Sequence, residues 1–155
     1  MNKRILNCAV AEFIYFENPL LELMLVDELI VSRMSFEEIA PIVPYVIEGR
    51  LRVRNTENTV WFGAKLGDEV VGVVSCVLRR AYIYYNTDFV KKEFRKKGIY
   101  TRLFEERDKY VLTLNRDLIR AKCTRYSLNH YLKNGFTATA KGGSLTPVEK
   151  KLGKS

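Results

Sequence analysis

A basic segment at residues 90–104 has the residue order of an anion-binding turn. Its sequence, VKKEFRKKGIYTRLF, follows an apolar run at residues 82–90 and leads into a stretch with helical periodicity. A helix start exposes backbone N–H groups without intrahelical partners, and the helix dipole adds positive potential there. Gly98 can adopt a backbone conformation that other residues avoid, and it lets a phosphate approach closely. The segment therefore predicts a site for a phosphate-bearing ligand.

The composition indicates one globular domain with an excess of positive charge. The chain has 155 residues, of which 47% are hydrophobic and 28% are charged, and these are ordinary values. The formal net charge of +8 favours an anionic partner, such as cofactor phosphates, nucleic acid or an acidic substrate. The charge alone does not choose among these three classes.

Cysteine spacing and hydropathy exclude several classes of protein. Cys8, Cys76 and Cys123 are widely spaced, which favours a reducing compartment over a disulfide framework or a zinc site. No window is long and apolar enough to span a bilayer. We therefore expect a cytoplasmic protein that has neither a bound metal nor a membrane contact.

The N-terminal residues differ from the rest of the chain. Residues 1–26 are apolar and aromatic without a clear periodicity. We predict that they form an N-terminal extension of uncertain structure, and that residues 27–155 form the domain on which it packs. No internal repeat or low-complexity segment marks a further boundary.

A capping pattern predicts where the first helix of the domain begins. Residues 28–34 are typical of a strand, and Ser35-Phe36-Glu37-Glu38 follows them. The Ser35 side chain can accept a hydrogen bond from the N–H group three residues later, while Glu38 reaches back to the Ser35 N–H group. The helix therefore begins near Phe36. It should be shortened or kinked by two prolines, Pro41 and Pro44.

The remaining elements predict an α+β domain with one mixed central sheet. Three strands with short connections form an antiparallel meander, at residues 59–65, 69–78 and 82–90. Apolar residues then recur at helical spacing from Ile99, and a strand follows that can pair in parallel with the third meander strand, at residues 117–124. A short helix and a hairpin complete the order, at residues 127–133, 136–141 and 145–152. We expect a meander, a parallel β-α-β step and helices on both faces of the sheet.

Two segments resemble the signatures of the GNAT N-acetyltransferase superfamily. Its cofactor motif is Arg or Gln, two residues, Gly, one residue, then Gly or Ala, and Arg95, Gly98 and Tyr100 occupy these positions. Residues 131–136 resemble the second signature, a Tyr several residues before Gly-Phe. As an order of elements, the resemblance covers residues 27–152. Tyr100 departs from the pattern, because a bulky side chain there can narrow or reshape the pyrophosphate site.

The resemblance implies an acyl-CoA-dependent N-acyltransferase that uses no metal, with acetyl-CoA as the expected donor. An amine would attack the thioester directly in a ternary complex. The N–H groups of residues 95–101 would hold the pyrophosphate, and a strand-end N–H group near Val90 would stabilise the oxyanion. Arg95 and Arg102 are the side chains expected nearest to phosphate. The implied cofactor-binding set is Val90, Arg95, Lys96, Lys97, Gly98, Ile99, Tyr100, Thr101 and Arg102. Three lysines are expected to be mainly solvated, Lys91, Lys92 and Lys96.

The resemblance also implies a general acid. Tyr131 matches the family's acid, and its reference pKa near 10 keeps it protonated at neutral pH. No general base is evident. Asp88 could face the acceptor or order a water, and it could equally be a surface carboxylate or a bulge residue. His130 is expected on another face of the helix from Tyr131, and Cys123 is expected to be a core thiol.

A basic and aromatic cluster supports an alternative function. Arg79 and Arg80 precede three tyrosines, of which Tyr82 and Tyr84 share one face of the strand and Tyr85 takes the other. Such residues can stack on bases, so the alternative is a non-catalytic nucleic-acid-binding module. A GNAT-like phage-type enzyme that modifies a DNA base combines both interpretations. The sequence leaves open the acceptor amine, the acyl group, and whether the protein is a monomer or a homodimer.

Overall fold

A computed structural model describes residues 28–153, which form one seven-stranded mixed sheet. The predicted extension, residues 1–26, lies outside the described residues. The strands are β1 Leu29–Met34, β2 Thr59–Leu66, β3 Glu69–Leu78, β4 Ile83–Val90, β5 Leu118–Cys123, β6 Thr137–Ala138 and β7 Thr146–Lys151. Their order across the sheet is β1-β2-β3-β4-β5-β7-β6. Strands β4 and β5 pair in parallel, and the other neighbours pair antiparallel. The predicted meander and the parallel step that follows it are thus confirmed.

Helices occupy the connections at which the sequence predicts them. They are α1 Phe36–Ile39, α2 Val43–Glu48, α3 Ile99–Leu112 and α4 Leu128–Lys133, and a 3₁₀ turn, Ala40–Ile42, joins α1 to α2. The capping box is confirmed, because the N–H group of Glu38 donates to Ser35 Oγ at 3.1 Å and that of Ser35 donates to Glu38 Oε1 at 3.2 Å. Pro41 and Pro44 lie in the first positions of the 3₁₀ turn and of α2, so they divide the predicted helix. No helix within residues 28–153 is long and apolar enough to cross a membrane.

Two hydrophobic cores cover the two faces of the sheet. Alternation along the strands sends Trp61 to one face and Phe62 to the other. The Trp61 face packs against α1, the 3₁₀ turn and α2 through Ile39, Ile42 and Val46 in that order. The Phe62 face packs against α3 and α4 through Ile99, Leu103, Phe104, Val111 and Tyr131. Helices on both faces of the sheet are therefore confirmed.

Strand β4 separates from its parallel neighbour halfway along its length. The register of the two strands runs from Ile83 opposite Ile119 to Tyr85 opposite Ala121. Beyond Tyr85, the remainder of β4 has no strand partner on that side within residues 28–153. On the other side, the pairing with β3 shifts register, and Thr87 has a left-handed φ of 50°. Such a bulge redirects the following side chain, and a gap opens between β4 and β5 beyond it.

Candidate active site

The loop between β4 and α3 presents an uncapped helix start. A 3₁₀ turn, Lys92–Phe94, precedes Gly98, which is the residue before the first turn of α3 and has a left-handed φ of 80°. Among residues 28–153, no side chain caps this helix start. A Cβ atom added at Gly98 would meet no atom of the described part of the chain within 4 Å, so this part leaves the loop open above Gly98. This geometry leaves the first N–H groups of α3 facing an open surface, as an anion site requires.

The Arg95 side chain links the loop to the end of β4 by a hydrogen bond. Its Nε donates to the Val90 carbonyl oxygen at 2.8 Å, and its guanidinium lies 5.5 Å from the centre of the Phe89 ring. The residue is nevertheless exposed, as are Lys96 and Thr101. Arg95 thus combines a contact that shapes the loop with a position beside the helix start.

The side chain of Lys91 is largely buried, so the prediction that it is solvated is wrong. Its side chain is 9% exposed, and its Nζ lies 2.8 Å from Glu69 Oε1 and 4.1 Å from the centre of the Tyr45 ring. The Lys91 N–H group still donates to the Val71 carbonyl oxygen at 2.9 Å, which extends the pairing with β3 by one residue. This pairing holds Lys91 beside Glu69 of β3 and Tyr45 of α2. Lys92 and Lys96 are exposed, as predicted.

Asp88 lies at the centre of a buried polar network that joins three elements. Arg107 of α3 donates from Nη1 to Asp88 Oδ1 at 2.6 Å and from Nη2 to Oδ2 at 3.1 Å. Tyr131 of α4 donates to the same Oδ2 at 2.6 Å. The phenol of Tyr100, in the first turn of α3, also donates to Oδ2. Two predicted catalytic residues and one predicted cofactor-binding residue are thus brought into contact.

The placement of Asp88 resolves part of what the sequence left open. It follows Thr87 at the bulge of β4, so the bulge interpretation is confirmed and the surface-carboxylate interpretation is wrong. Its side chain is 12% exposed and accepts hydrogen bonds from three side chains. A carboxylate that is so fully engaged is a weak candidate for a base, although the catalytic role of Asp88 stays a prediction.

Arg107 is the residue of this network that the sequence analysis missed. It is completely buried, it donates to the Ser75 carbonyl oxygen at 3.0 Å, and its guanidinium lies 3.8 Å from the centre of the Tyr85 ring. A usable signal was present, because Arg107 occurs four residues after Leu103 and four before Val111. It therefore falls within the apolar stripe of the helix. A buried arginine within such a stripe requires a carboxylate partner.

Burial and charge fix the protonation states within the network. Burial, and then the Asp88 charge, raise the pKa of Tyr131 well above its ordinary value, and the same two causes raise the pKa of Tyr100. Burial opposes the charge on Arg107, but Asp88 and the neighbouring phenols outweigh it and raise the pKa of Arg107. Both phenols are therefore protonated and Arg107 is charged at neutral pH.

His130 packs beside this network through the rings of Tyr100 and Phe104. Its ring centre lies 4.5 Å from that of Tyr100 and 4.7 Å from that of Phe104. Its Nε2 is buried without a hydrogen-bond partner in the described part of the chain. Burial lowers the pKa of His130 from 6.5, and the Arg107 and Lys133 charges lower it further against the opposing effect of nearby carboxylates. The ring is therefore neutral at neutral pH.

We expect His130 to make the fold less stable in mild acid. Its folded pKa lies below the unfolded value of 6.5, so the unfolded state binds the proton first as the pH falls. The stability that the neutral His130 ring contributes is fully present above pH 6.5 and is lost as the pH falls below that value. Urea unfolding of the wild type and of His130→Phe at about pH 7.5 and about pH 5 tests this. The wild type should lose more stability than the variant, and an equal loss in both would contradict the assignment.

Both cysteines of the described residues lie in the core. Cys76 and Cys123 are buried, and burial raises the pKa of their thiols to about 11 and about 12. Cys123 is therefore a core thiol, as predicted, whereas Cys8 lies outside the described residues. Within residues 28–153, no group of three His, Cys, Asp or Glu side chains is arranged to hold a metal ion.

The basic and aromatic cluster divides between the two faces of β4. Tyr85 is 2% exposed and donates to Asp108 Oδ1 at 2.5 Å, whereas Tyr84 is partly exposed on the opposite face. The predicted alternation is thus confirmed. The Arg120 guanidinium lies 4.7 Å from the centre of the Tyr82 ring.

Comparisons with solved structures show a shared fold at low sequence identity. PaiA N-acetyltransferase from Thermoplasma acidophilum in complex with coenzyme A has a TM-score of 0.65 at 16% identity, over 80% of this chain and 99% of that chain. A GNAT-family acetyltransferase from Staphylococcus aureus Mu50 has a TM-score of 0.63 at 14% identity, over 81% and 99%. N-acetylglutamate synthase from Neisseria gonorrhoeae, complexed with coenzyme A and L-arginine, has a TM-score of 0.65 at 9% identity, over 81% and 34%.

A comparison of the sequence with models of protein families identifies the family. A comparison with curated proteins found no match. The sequence model of the acetyltransferase (GNAT) family matches residues 26–136, which include the whole of the loop between β4 and α3 and the α4 tyrosine. This match covers well over half of the chain and reaches Phe136, the last residue of the second signature. The chain therefore belongs to the acetyltransferase (GNAT) family.

Proposed function

We propose that this protein transfers an acyl group, most simply acetyl, from coenzyme A to an amine. The observation that carries the proposal is the gap between β4 and β5, which opens at the same end of the sheet as the uncapped start of α3. An extended cofactor arm can enter such a gap while its phosphates rest on the helix start. Two proteins that share the fold, from T. acidophilum and N. gonorrhoeae, are described as complexes with coenzyme A, which supports this choice of ligand.

The loop between β4 and α3 would hold the pyrophosphate. The backbone N–H groups from Gly98 to Thr101 are the donors, and the open space above Gly98 is the room for the phosphates. Arg95 and Lys96 are exposed beside this point and would add charge attraction. Arg102 and Lys97 complete the proposed set of cations.

Val90 would supply the hydrogen bond for the developing oxyanion. The N–H group of Lys91 bonds to β3, and the direction of backbone hydrogen bonds alternates along a strand. The backbone of Val90 therefore faces the other side, towards the gap that β5 leaves. The bond from Arg95 Nε to the Val90 carbonyl oxygen agrees with this direction. A preorganised donor at this position typically lowers the barrier by about 3 kcal/mol.

The reaction would need one proton donor for the departing sulfur. As the amine bonds to the acyl carbon, the C–S bond breaks and the electron pair leaves with the thiolate. Tyr131 is the donor that the second signature implies, and its raised pKa keeps it protonated. In the structure this phenol donates to Asp88, so it would have to turn its proton from the carboxylate to the sulfur.

Calorimetric titration with acetyl-CoA, followed by an amine screen that detects released thiol, tests the proposal. We expect binding at micromolar to millimolar concentration and thiol release with one amine class among polyamines, peptides and amine-bearing nucleic acid. If the protein neither binds acetyl-CoA at millimolar concentration nor releases thiol, the proposal fails. Salt-sensitive binding of DNA without cofactor binding would instead support the nucleic-acid-binding module.

A further inference from the structure

Tyr100 occupies the motif position at which the family has a small residue, and its side chain is directed inwards. The phenol donates to Asp88 on β4, and the ring lies beside the His130 ring of α4 and 6.0 Å from the Phe104 ring centre. The side chain therefore crosses the space between α3 and α4 instead of covering the N–H groups at the start of α3. Its bulk is accommodated within the polar network.

Tyr100 and Tyr131 share a single acceptor atom. Both phenols donate to Asp88 Oδ2, and Arg107 holds that carboxylate through two hydrogen bonds. Arg107 Nη2 also donates to the Tyr131 oxygen at 3.3 Å. Two donors on one oxygen atom lie close to each other, so a leaving sulfur within reach of one phenol lies near the other. The network thus contains two potential acids where the family signature implies one.

The two tyrosine residues differ in how much of their surface is exposed. Tyr131 is 3% exposed, whereas Tyr100 is partly exposed at the first turn of α3. An acid that has given up its proton must recover one before the next turnover. Tyr100 offers a second hydroxyl on the same carboxylate oxygen, and it can act when the proton of Tyr131 stays with Asp88.

We propose that Tyr100 is a second proton donor of the acyl-transfer reaction, paired with Tyr131 through Asp88. This inference rests on the proposed function. The amine nitrogen bonds to the acyl carbon, the C–S bond breaks, and the thiolate takes a proton from either phenol. The resulting phenolate regains a proton from water, and the proton that the amine nitrogen loses passes to water. Either phenol alone is sufficient for this step.

A double-mutant cycle on the full-length protein tests the pairing. Tyr100→Phe and Tyr131→Phe each keep the ring and remove one hydroxyl. We expect each single variant to lower kcat by less than about tenfold, because the other phenol remains. The double variant should lower kcat by about 10²-fold or more, in the range by which a general acid contributes. Thermal unfolding of all four proteins checks that the fold is retained.

A matched control and a change of leaving group separate catalysis from packing. Tyr85→Phe removes a buried hydroxyl that bonds to Asp108 and not to Asp88, so its effect on kcat should be the same with or without Tyr131. An acetyl thioester of an acidic aromatic thiol needs no acid, because its thiolate leaves unaided. With the aryl thioester, the double variant should have most of the kcat/KM that the wild type has with the same donor. A packing defect would instead lower the rate of the double variant with both the aryl thioester and acetyl-CoA.

The outcomes are distinct. If the wild type turns over and the effects of the two tyrosine substitutions on kcat simply multiply, the pairing is overturned while the proposed function stands. The pairing is also overturned if the double variant loses equal activity with both donors. If the wild type neither binds acetyl-CoA nor releases thiol from it, the proposed function fails, and the pairing fails with it.

Discussion

Gly98→Glu should reduce the affinity for acetyl-CoA by at least about 100-fold, or about 2.8 kcal/mol of binding free energy. The new side chain would enter the open space above the helix start, where the phosphates are proposed to lie. Its carboxylate would compete for the N–H groups at the start of α3 and repel the pyrophosphate. It would also strain the backbone, because Gly98 has a φ of 80° that other residues adopt at a cost of about 1–2 kcal/mol.

Gly67→Glu is the matched control for this substitution. Gly67 lies in the turn between β2 and β3 and has a φ of 58°, and an added Cβ likewise meets no atom of the described residues within 4 Å. The control therefore introduces the same charge and a similar backbone strain in a turn that is not part of the loop between β4 and α3. Calorimetric titration should show near-normal binding for Gly67→Glu and binding weakened by at least about 100-fold for Gly98→Glu. Equal affinities in the two folded variants would remove the pyrophosphate assignment.

Arg107→Met should lower the free energy of unfolding by about 3–5 kcal/mol, which is a large fraction of the stability of a domain of this size. Methionine can fill much of the space beside the Tyr85 and Phe104 rings. It cannot compensate the Asp88 charge, however, and Asp88 would be left without its cationic partner among buried groups. The Ser75 carbonyl oxygen would also lose a donor. Urea unfolding measures the effect.

A second substitution separates the charge from the packing in this prediction. Combining Arg107→Met with Asp88→Asn removes both charges, and the amide oxygen can still accept from Tyr100 and Tyr131. We expect the double variant to be more stable than Arg107→Met alone, because no unpaired charge remains buried. If the double variant is the less stable of the two, the loss comes from packing, and the ion-pair argument is wrong.

Local signals predicted most of the elements accurately. The capping box at Ser35 placed the start of α1, and the short connections between three strands predicted the antiparallel meander of β2, β3 and β4. These features depend on hydrogen bonds and backbone preferences within a few residues, so short stretches of sequence contain them. The burial of Lys91 was not predicted, because no local signal indicates it. Its burial depends on Glu69 and Tyr45, which lie far from it in the chain.

The sequence by itself determined the α+β order of elements, the basic loop before α3 and the two signatures that mark the family. Only the tertiary structure decided what Asp88, Tyr100, Arg107 and Tyr131 do together. These four residues come from β4, α3 and α4, and the bulge at Thr87 with the parallel β-α-β step brings them to one point. Hydrogen bonds between such distant residues leave no periodic pattern in the sequence. The sequence showed that Tyr100 departs from the family motif. Only the tertiary structure shows that its hydroxyl donates a hydrogen bond to Asp88.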